Sequence, residues 1–277
     1  MDRIRRNERL AAMTRILVES PNKIFTLGTF CELFGAAKST LSEDIDILRG
    51  VFAQFHLGQL DTVTGAAGGV RYRPIPTPED AYKSVKELAQ MVSVPGRVLP
   101  GGFIYMADIL ASPELVERMG AIIASQYYRA EPDFVLTMET KGIPVAMMTA
   151  RMLNVPLVIA RRDSRAYEGS AVKINYITGE AGDRIETMAL TRRAVAPGQK
   201  ALIIDDFMKG GGTLRGMHDL MKEFSVEVVG TGVVIATATP EKKRVSGVTA
   251  LMVLREVDRE KGCALVEPSD WVMNENW

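Results

Sequence analysis

The sequence predicts an α/β protein of two domains, and three observations support this prediction. The chain has 277 residues, which at about 150 residues per domain corresponds to roughly two domains. Three prolines within 73–78 mark a linker, because proline lacks an amide donor and restricts the residue before it. Helical spacing dominates before this linker, whereas short apolar runs alternate with helices after it. We therefore place one domain at residues 1–74 and a second at 75–277.

Composition restricts the classes of protein to which the chain can belong. Hydrophobic residues make up 47% and charged residues 25% of the chain, which is ordinary globular composition and excludes a disordered or fibrous protein. Apolar runs stay shorter than the roughly 18 residues of a membrane span, and the basic start lacks a signal-peptide core, so we expect a cytoplasmic protein. Two histidines and two cysteines, Cys31 and Cys263, predict buried free thiols in place of a zinc site or a disulfide framework.

The first domain is predicted to contain three helices followed by a β-hairpin. Apolar residues recur at helical spacing within Ile4–Glu19, and Thr26 and Gly35 are suited to begin and end a second helix. A third helix has one apolar face, formed by Leu41, Ile45, Leu48, Phe52 and Phe55. Strand-forming residues on both sides of the glycine-rich segment 65–69 predict the hairpin. This order of elements is that of a winged helix-turn-helix domain.

The distribution of charge favours DNA binding by this domain. The chain has 34 basic and 34 acidic residues, but residues 1–40 hold seven basic against four acidic ones. Candidate DNA contacts lie at the N-terminus, at the start of the third helix and on the wing: Arg3, Arg5, Arg6, Lys38, Ser39, Thr40, Ser42, Arg71 and Arg73. Glu43, Asp44 and Asp46 follow on the third helix and would oppose DNA if they faced a groove. A winged helix that binds protein, or that serves only for dimerisation, therefore remains an alternative.

The second domain is predicted to contain a mainly parallel sheet covered by helices. Its elements alternate along the chain: a helix that begins at Ser112-Pro113, an apolar run at 134–138, a helix at 144–153, runs at 157–160 and 201–204, a helix at 213–224 and a run at 228–236. Short continuous apolar runs are typical of strands that are buried on both faces. Ligands of such sheets bind at the carboxyl ends of the strands.

The most informative segment is Ala201–Thr213, where a buried strand leads into a helix. Asp205 and Asp206 end the strand, and three glycines at 210–212 precede the helix. Glycines let backbone amides turn toward an anion, and the helix N-terminus adds about half a positive charge there. Carboxylates repel phosphate but accept hydrogen bonds from vicinal hydroxyls, directly or through Mg²⁺. Phosphate beside a diol describes a ribose 5-phosphate, whereas Walker and dinucleotide-binding loops have a different spacing.

The segment Leu202–Thr213 resembles the phosphoribosyl-pyrophosphate (PRPP) motif of type I phosphoribosyltransferases. Its run Asp-Asp-Phe-Met-Lys is similar to that of the purine operon repressor family of Gram-positive bacteria, as are Ala37–Asp44, Gly65–Val70 and Leu99–Gly102. The similarity spans nearly the whole chain. A winged helix joined to this loop is a specific combination, because phosphoribosyltransferase enzymes do not ordinarily carry one.

The resemblance implies a homodimeric repressor of purine biosynthesis and transport genes. Its second domain, which is phosphoribosyltransferase-like, would bind PRPP, with Mg²⁺, as an inducer that releases operator DNA, and guanosine tetraphosphate would compete at the same site. The resemblance implies no catalytic residue, no required cofactor and no metal held by the protein itself. The implied effector site comprises Phe103, Tyr105, Thr140, Lys141, Gly142, Arg162, Asp205, Asp206, Phe207, Met208, Lys209, Gly210, Gly211, Gly212 and Thr213. Within this site the two aspartates would hold the ribose hydroxyls, and residues 209–213 would hold the 5-phosphate. Residues 139–142 would hold the diphosphate.

Departures from the family and alternative explanations limit this assignment. Phe103 stands where the family has tyrosine, and Gly210 where alanine is usual. Lys141 could be a surface lysine, and the charged segment Arg161–Ser170, which matches the loop that closes over the ligand, could simply be solvated. The alternative function is a purine phosphoribosyltransferase with an accessory N-terminal domain. Such an enzyme needs a hood that presents partners for a purine base, and no stretch of the sequence clearly supplies one.

Overall fold

Helices and strands alternate along the chain in a computed structural model that describes residues 4–65, 68–99, 103–163, 169–179, 184–258 and 260–273. In chain order these elements are α1 (Arg6–Glu19), β1 (Ile24–Thr26), α2 (Leu27–Phe34), α3 (Lys38–Gln54), β2 (Gln59–Val63), β3 (Gly69–Arg73), α4 (Pro78–Ser93), β4 (Val98–Leu99), β5 (Phe103–Ile104), α5 (Ala107–Leu110), α6 (Pro113–Ser125), β6 (Phe134–Met138), α7 (Ile143–Leu153), β7 (Leu157–Ala160), β8 (Ala171–Thr178), β9 (Arg184–Thr191), β10 (Lys200–Met208), α8 (Gly212–Glu223), β11 (Glu227–Thr237), β12 (Val248–Asp258) and β13 (Cys263–Pro268). A 3-10 helix follows at Asp270–Met273. Two units result, Met1–Thr77 with Arg151–Asn154 and Pro78–Ala150 with Val155–Trp277.

The first unit has the predicted winged-helix fold. Thr26 begins α2 by accepting a hydrogen bond from the backbone amide of Thr29 at 3.1 Å, and Gly35 ends it in the left-handed conformation at φ 60°. The sheet has the order β1-β3-β2. Strand β1 is an addition to the prediction, since Phe25 pairs with Val70 across an antiparallel ladder. Strand β3 of the wing hairpin is therefore the central strand of a three-stranded sheet, and β2 lies at its edge.

The core of this unit confirms most of the predicted apolar face of the third helix. Leu41, Ile45, Leu48 and Phe52 are buried with side chains from α1, α2 and β3. The assignment of Phe55 to the same face is wrong, because α3 ends at Gln54 and the Phe55 ring is 62% exposed. Helical spacing no longer dictates where a side chain points once the helix has ended.

The second unit contains a six-stranded sheet of order β13-β12-β11-β10-β6-β7 among the described residues. Neighbouring strands run parallel from β12 to β7, and only β13 is antiparallel to its neighbour. Strand β10 is longer than the predicted run 201–204, because Asp205 pairs with Val233 and Phe207 with Ile235. The aspartates therefore belong to the carboxyl end of the strand itself, where ladder hydrogen bonds fix their backbone.

An unpredicted hairpin, β8–β9, packs on helix α8. A Cβ atom added to Gly212 would lie 2.3 Å from the carbonyl oxygen of Ile177, and one added to Gly216 would lie 2.9 Å from the ring of Tyr176. Only glycine permits this approach, because such distances are far inside van der Waals contact. The hairpin is thereby held against the first turns of α8.

Two smaller expectations can be compared with the structure. Cys31 and Cys263 are free thiols, but both are partly exposed, which corrects the prediction that they are buried. Within the described ranges, no helix combines the length and apolar character that crossing a membrane would need.

Candidate functional site

A cavity of about 340 Å³ opens at the carboxyl ends of β6 and β10. This is the edge of the sheet at which ligands of open α/β folds bind. Eight of the predicted effector residues line it: Phe103, Thr140, Lys141, Arg162, Asp205, Asp206, Phe207 and Thr213. The cavity therefore brings the predicted ribose-binding, phosphate-binding and diphosphate-binding segments to one place.

The two aspartates form a closely coupled acidic pair at the floor of the cavity. Asp205 is 7% exposed, and its Oδ1 accepts a hydrogen bond from the backbone amide of Asp206 at 2.9 Å. Burial raises the pKa of Asp205 well above its ordinary value, and the adjacent Asp206 carboxylate raises it further. Burial also raises the pKa of Asp206, against the opposing effects of a hydrogen bond with Asp205 and the charge of Lys141. Carboxyl oxygens accept hydrogen bonds from ligand hydroxyls, and a carboxyl group that is protonated can also donate one.

The segment 139–142 crosses directly over Asp205. A Cβ atom at Gly142 would lie 2.6 Å from Thr137 Oγ1 and 2.7 Å from Asp205 Oδ1. Glu139 fixes the start of the segment, since its backbone amide donates to Ala160 O at 3.0 Å and its Oε1 accepts from the Arg162 amide at 2.8 Å. Glycine at 142 is required by space, and Thr140 and Lys141 of the same segment are exposed and line the cavity.

The glycine-rich loop 209–212 turns the chain from β10 into α8. Gly211 is the N-cap of α8 and has the left-handed φ of 80°, a conformation that suits glycine. The first amides of an α-helix have no partner within the helix and carry its positive dipole end. Thr213, in this first turn, lines the cavity. The first turn of α8 therefore lies at the cavity, and anion binding by this loop remains a prediction.

Seven predicted residues do not line the cavity: Tyr105, Gly142, Met208, Lys209, Gly210, Gly211 and Gly212. Met208 packs in the apolar core because it lies on the opposite face of β10 from Phe207. Tyr105 is 45% exposed but lies outside the lining, so of the two residues predicted to stack on the ligand only Phe103 borders the cavity. Gly142 and Gly212 permit close approach of neighbouring segments, and Gly211 adopts the left-handed conformation that ends the loop. Residues 100–102 and 164–168, parts of the predicted hood and closing loop, lie outside the described residues.

The cavity also contains Glu139, the first residue of the predicted diphosphate segment, and residues that sequence reasoning missed: Ile104, Met106, Met138, Tyr176 and Glu186. The Tyr176 hydroxyl donates to Glu186 Oε2 at 3.0 Å, and the two residues are cross-strand partners in the β8–β9 hairpin. Burial and the Glu186 carboxylate raise the pKa of Tyr176 to about 12. No local motif marks these two positions. Recognising the hairpin from its strand-forming residues would have paired them.

In the winged-helix unit, the acidic side chains of α3 are neutralised within the protein. Asp44 is fully buried and accepts from Arg9 Nε at 2.7 Å. Glu43 pairs with Arg6 at 2.8 Å, and Asp46 pairs with Arg49. The basic and hydroxyl side chains at the start of α3, Lys38, Ser39 and Ser42, are exposed, and Thr40 is half-buried. The carboxylates therefore do not prevent this end of α3 from approaching a polyanion.

The predicted arginine contacts are partly committed to partners inside the unit. Arg73 pairs with Asp61 at 2.5 Å, and Arg71 lies 3.9 Å from the same carboxylate. Arg6 contacts Glu43 as well as Asp44, while Arg5 is exposed. Arg3 lies outside the described residues. These arginines have local roles that the sequence did not reveal, and their contacts with DNA remain a prediction.

Comparison with known proteins decides the family. Residues 5–74 match the family described as "Bacterial purine repressor, N-terminal", and residues 106–264 match "Phosphoribosyl transferase domain". The chain is 41% identical over 259 residues to the "Purine biosynthesis transcriptional repressor PurR" of Bacillus subtilis, covering 94% of this chain and 90% of the relative. The chain belongs to the PurR family of purine transcriptional regulators. A second PurR, the "Purine biosynthesis transcriptional activator PurR" of Lactococcus lactis subsp. lactis, is 37% identical over 92% of this chain and 94% of its own.

The second unit of this PurR-family chain has the type I phosphoribosyltransferase fold. It superposes on adenine phosphoribosyltransferase from Thermoanaerobacter pseudethanolicus with a TM-score of 0.53 and 18% identity, over 60% of this chain and 98% of that one. At this identity the similarity establishes the fold alone. The resemblance inferred from sequence and the predicted fold class are both confirmed.

Proposed function

We propose that this chain represses purine biosynthesis and transport genes by binding operator DNA as a homodimer, and that PRPP is the inducer that releases it. The observation that carries the proposal is the convergence of the acidic pair, the segment 139–142 and the N-terminus of α8 on one cavity. A winged helix is present in the same chain. Together they describe a sensor of a phosphorylated sugar coupled to a DNA-binding unit.

The cavity supports PRPP by the chemistry of its three sides. The carboxyl oxygens of Asp205 and Asp206 suit the two ribose hydroxyls, and the dipole end of α8 with Thr213 suits the 5-phosphate. Lys141 and the segment 139–142 border the same cavity, which supports their assignment to the diphosphate of the same sugar. Within the described ranges, His, Cys, Asp and Glu side chains form no group of three suited to hold a metal. Mg²⁺ would therefore be held chiefly by the diphosphate, with Asp206 as a protein ligand.

Guanosine tetraphosphate is the proposed competitor, because its two diphosphates on one ribose offer the same kind of anionic groups to the cavity; its 3′-oxygen is esterified, so only the 2′-hydroxyl is left for the aspartates. We further propose that the cavity binds PRPP without transferring its 5-phosphoribosyl group to a base. Curated relatives over nearly the full length are named as regulators of transcription, which supports this assignment. Because those relatives are named both repressor and activator, the direction of regulation is part of the proposal.

The test is fluorescence anisotropy of a labelled duplex from a purine biosynthesis promoter, titrated with the full chain with and without PRPP and Mg²⁺. We expect tight binding that PRPP weakens and that a scrambled duplex does not reproduce. Asp205→Ala should bind the duplex normally but ignore PRPP, whereas Glu241→Ala, which removes an exposed carboxylate, should respond as the wild type does.

Three results would contradict parts of this proposal. An unchanged PRPP response in Asp205→Ala would overturn the site assignment. Nucleotide formation from PRPP and a purine base would instead make the chain a phosphoribosyltransferase. A DNA affinity that is insensitive to salt would exclude phosphate contacts by the winged helix. Sedimentation at micromolar concentration gives the oligomeric state, for which we expect a dimer.

A further inference from the structure

The chain between β11 and β12 lies against the glycine-rich loop that precedes α8. The backbone amide of Arg244 donates to the carbonyl oxygen of Gly210 at 3.0 Å. A Cβ atom built on Gly211 would lie 3.6 Å from the amide nitrogens of Arg244 and Val245, which is ordinary van der Waals contact. Residues 238–247 therefore form a support for this loop, and none of them lines the cavity.

Lys243 makes the central contact between the support and the loop. Its Nζ donates to the carbonyl oxygen of Lys209 at 2.6 Å and to Thr237 Oγ1 at 2.9 Å. Thr237 is 9% exposed at the end of β11, and its hydroxyl donates to Thr239 O at 2.5 Å. Burial lowers the pKa of Lys243, and the charge of Lys209 lowers it further. The ammonium is thus held in one place by a buried hydroxyl and a backbone carbonyl.

The orientation of these carbonyl groups matters for an anion. A loop that binds phosphate through its amides must direct its carbonyl oxygens elsewhere, because a carbonyl oxygen and a phosphate oxygen repel each other. The two consecutive carbonyls at Lys209 and Gly210 both accept hydrogen bonds from the support. The following amides belong to the first turn of α8, at the cavity.

We propose that Lys243 is a positioning residue for anion binding: it holds the Lys209 carbonyl away from the cavity and so fixes 209–213 in the conformation that takes the phosphate of a phosphorylated sugar. This inference rests on the proposed function, since a ribose 5-phosphate group is its occupant. The residue itself lies behind the loop and contacts no ligand. Its effect should therefore be confined to the phosphate half of the cavity, because the segment 139–142 does not depend on the support.

The test is isothermal titration calorimetry of the full chain with ribose 5-phosphate and, separately, with pyrophosphate and Mg²⁺. Lys243→Met removes the two hydrogen bonds, and Lys242→Met is its matched control, because it removes the same charge from the adjacent exposed lysine. We expect Lys243→Met to weaken ribose 5-phosphate at least tenfold and Lys242→Met to change it less than twofold. Pyrophosphate affinity should stay within twofold of the wild type in both variants.

Other outcomes separate the failure of this inference from failure of the proposed function. Equal ribose 5-phosphate affinity in the two variants would overturn the role of Lys243 while leaving the function intact. Equal losses of both ligands in Lys243→Met would also overturn it, because the lysine would then stabilise the whole unit. A wild-type chain that binds neither ligand would overturn the proposed function itself. If circular dichroism shows that Lys243→Met is unfolded, Thr237→Val is tested in its place. We expect this variant to lose two- to fivefold in ribose 5-phosphate affinity. An unchanged affinity would overturn the inference.

Discussion

Arg9 donates a hydrogen bond from Nε to the carboxylate of Asp44 at 2.7 Å, and this ion pair joins α1 to α3 in the interior of the winged-helix unit. The Asp44 side chain is fully buried, and Arg9 also donates to Ile4 O at 2.9 Å. A buried pair of this kind is costly to break, because the remaining charge is left without compensation. The pair therefore determines where the third helix lies relative to the first.

Asp44→Ala should lower the free energy of unfolding of the winged-helix unit by about 3–5 kcal/mol. Glu43→Ala is the control, because it removes the neighbouring exposed carboxylate, which pairs with Arg6, and should cost less than about 1 kcal/mol. Urea unfolding followed by circular dichroism measures both losses. Similar losses in the two variants would show that the buried pair does not hold α1 to α3.

Gly142→Ala should weaken pyrophosphate binding at least tenfold, because the new Cβ atom would lie 2.6–2.7 Å from Thr137 Oγ1 and Asp205 Oδ1 and would push the segment away from the cavity. Gly210→Ala is the matched control. A Cβ atom at Gly210 meets nothing within 4 Å, so ligand affinity should stay within about twofold. Calorimetric titration of the two variants tests the difference, and equal affinities would refute the steric argument.

Asp205→Asn should increase stability at pH 7 by about 1–2 kcal/mol while abolishing the response to PRPP. The raised pKa of Asp205 means that folding disfavours ionisation of this carboxyl group. Below about pH 4, the pKa of this carboxyl in the unfolded chain, Asp205 therefore costs the folded chain no stability. The loss of stability appears as the pH rises from about 4 through the folded pKa. Thermal unfolding between pH 4 and pH 8 should show a gain that shrinks toward acid.

Asp219→Asn is the control for that experiment, because it should change stability in the opposite direction. Although burial opposes ionisation, hydrogen bonds from Lys222 and Arg215 lower the pKa of Asp219. Its contribution to stability is present above the unfolded pKa and is lost as the pH falls, so the variant should be slightly destabilised at pH 7. If Asp205→Asn were destabilised at pH 7, this would contradict the conclusion that burial disfavours ionisation of the Asp205 carboxyl.

Arg49→Ala should weaken DNA binding about tenfold without changing its salt dependence. Arg49 donates to Leu60 O at 3.2 Å and to Thr62 Oγ1 at 2.8 Å, so it joins α3 to the first strand of the wing. Arg15→Ala removes the same charge from an exposed position that pairs with Glu19 and should have no effect. Anisotropy titrations across a salt series measure both quantities. A slope that falls by about one would instead make Arg49 a phosphate contact.

Lys38→Ala should reduce the salt slope of DNA binding by about one, because Lys38 is exposed at the N-terminus of α3 and is expected to neutralise one phosphate. Lys23→Ala, a substitution elsewhere in the same unit, is the control and should leave the slope unchanged. The same salt series applies. If the salt slope of Lys38→Ala were unchanged, Lys38 at the start of α3 would not be a phosphate contact.

Much of the fold could be predicted because it is encoded locally. The cap at Thr26, the left-handed stop at Gly35 and the apolar runs of β6 and β7 each follow from residues within one element. The loop at 210–212 is equally local, since glycines and a helix start are contiguous in the chain. Local chemistry of this kind is independent of the remainder of the fold.

What escaped prediction depends on residues that are distant in sequence. Asp44 and Arg9 are 35 positions apart in the chain, and the sequence alone made Asp44 an obstacle to DNA instead of a buried partner. Tyr176 and Glu186 enter the cavity through hairpin pairing and through the packing of that hairpin on α8. Neither relationship has a spacing rule that could be applied to the chain before folding.

The glycines at 212 and 216 have a mechanical consequence for the cavity. Because a hydrogen atom is all that separates α8 from Ile177 and Tyr176 at these points, the hairpin cannot slide along the helix without a collision. Helix and hairpin must shift together as one body. A movement of the first turn of α8 would therefore also displace Tyr176 and Glu186. The two walls of the cavity are mechanically coupled.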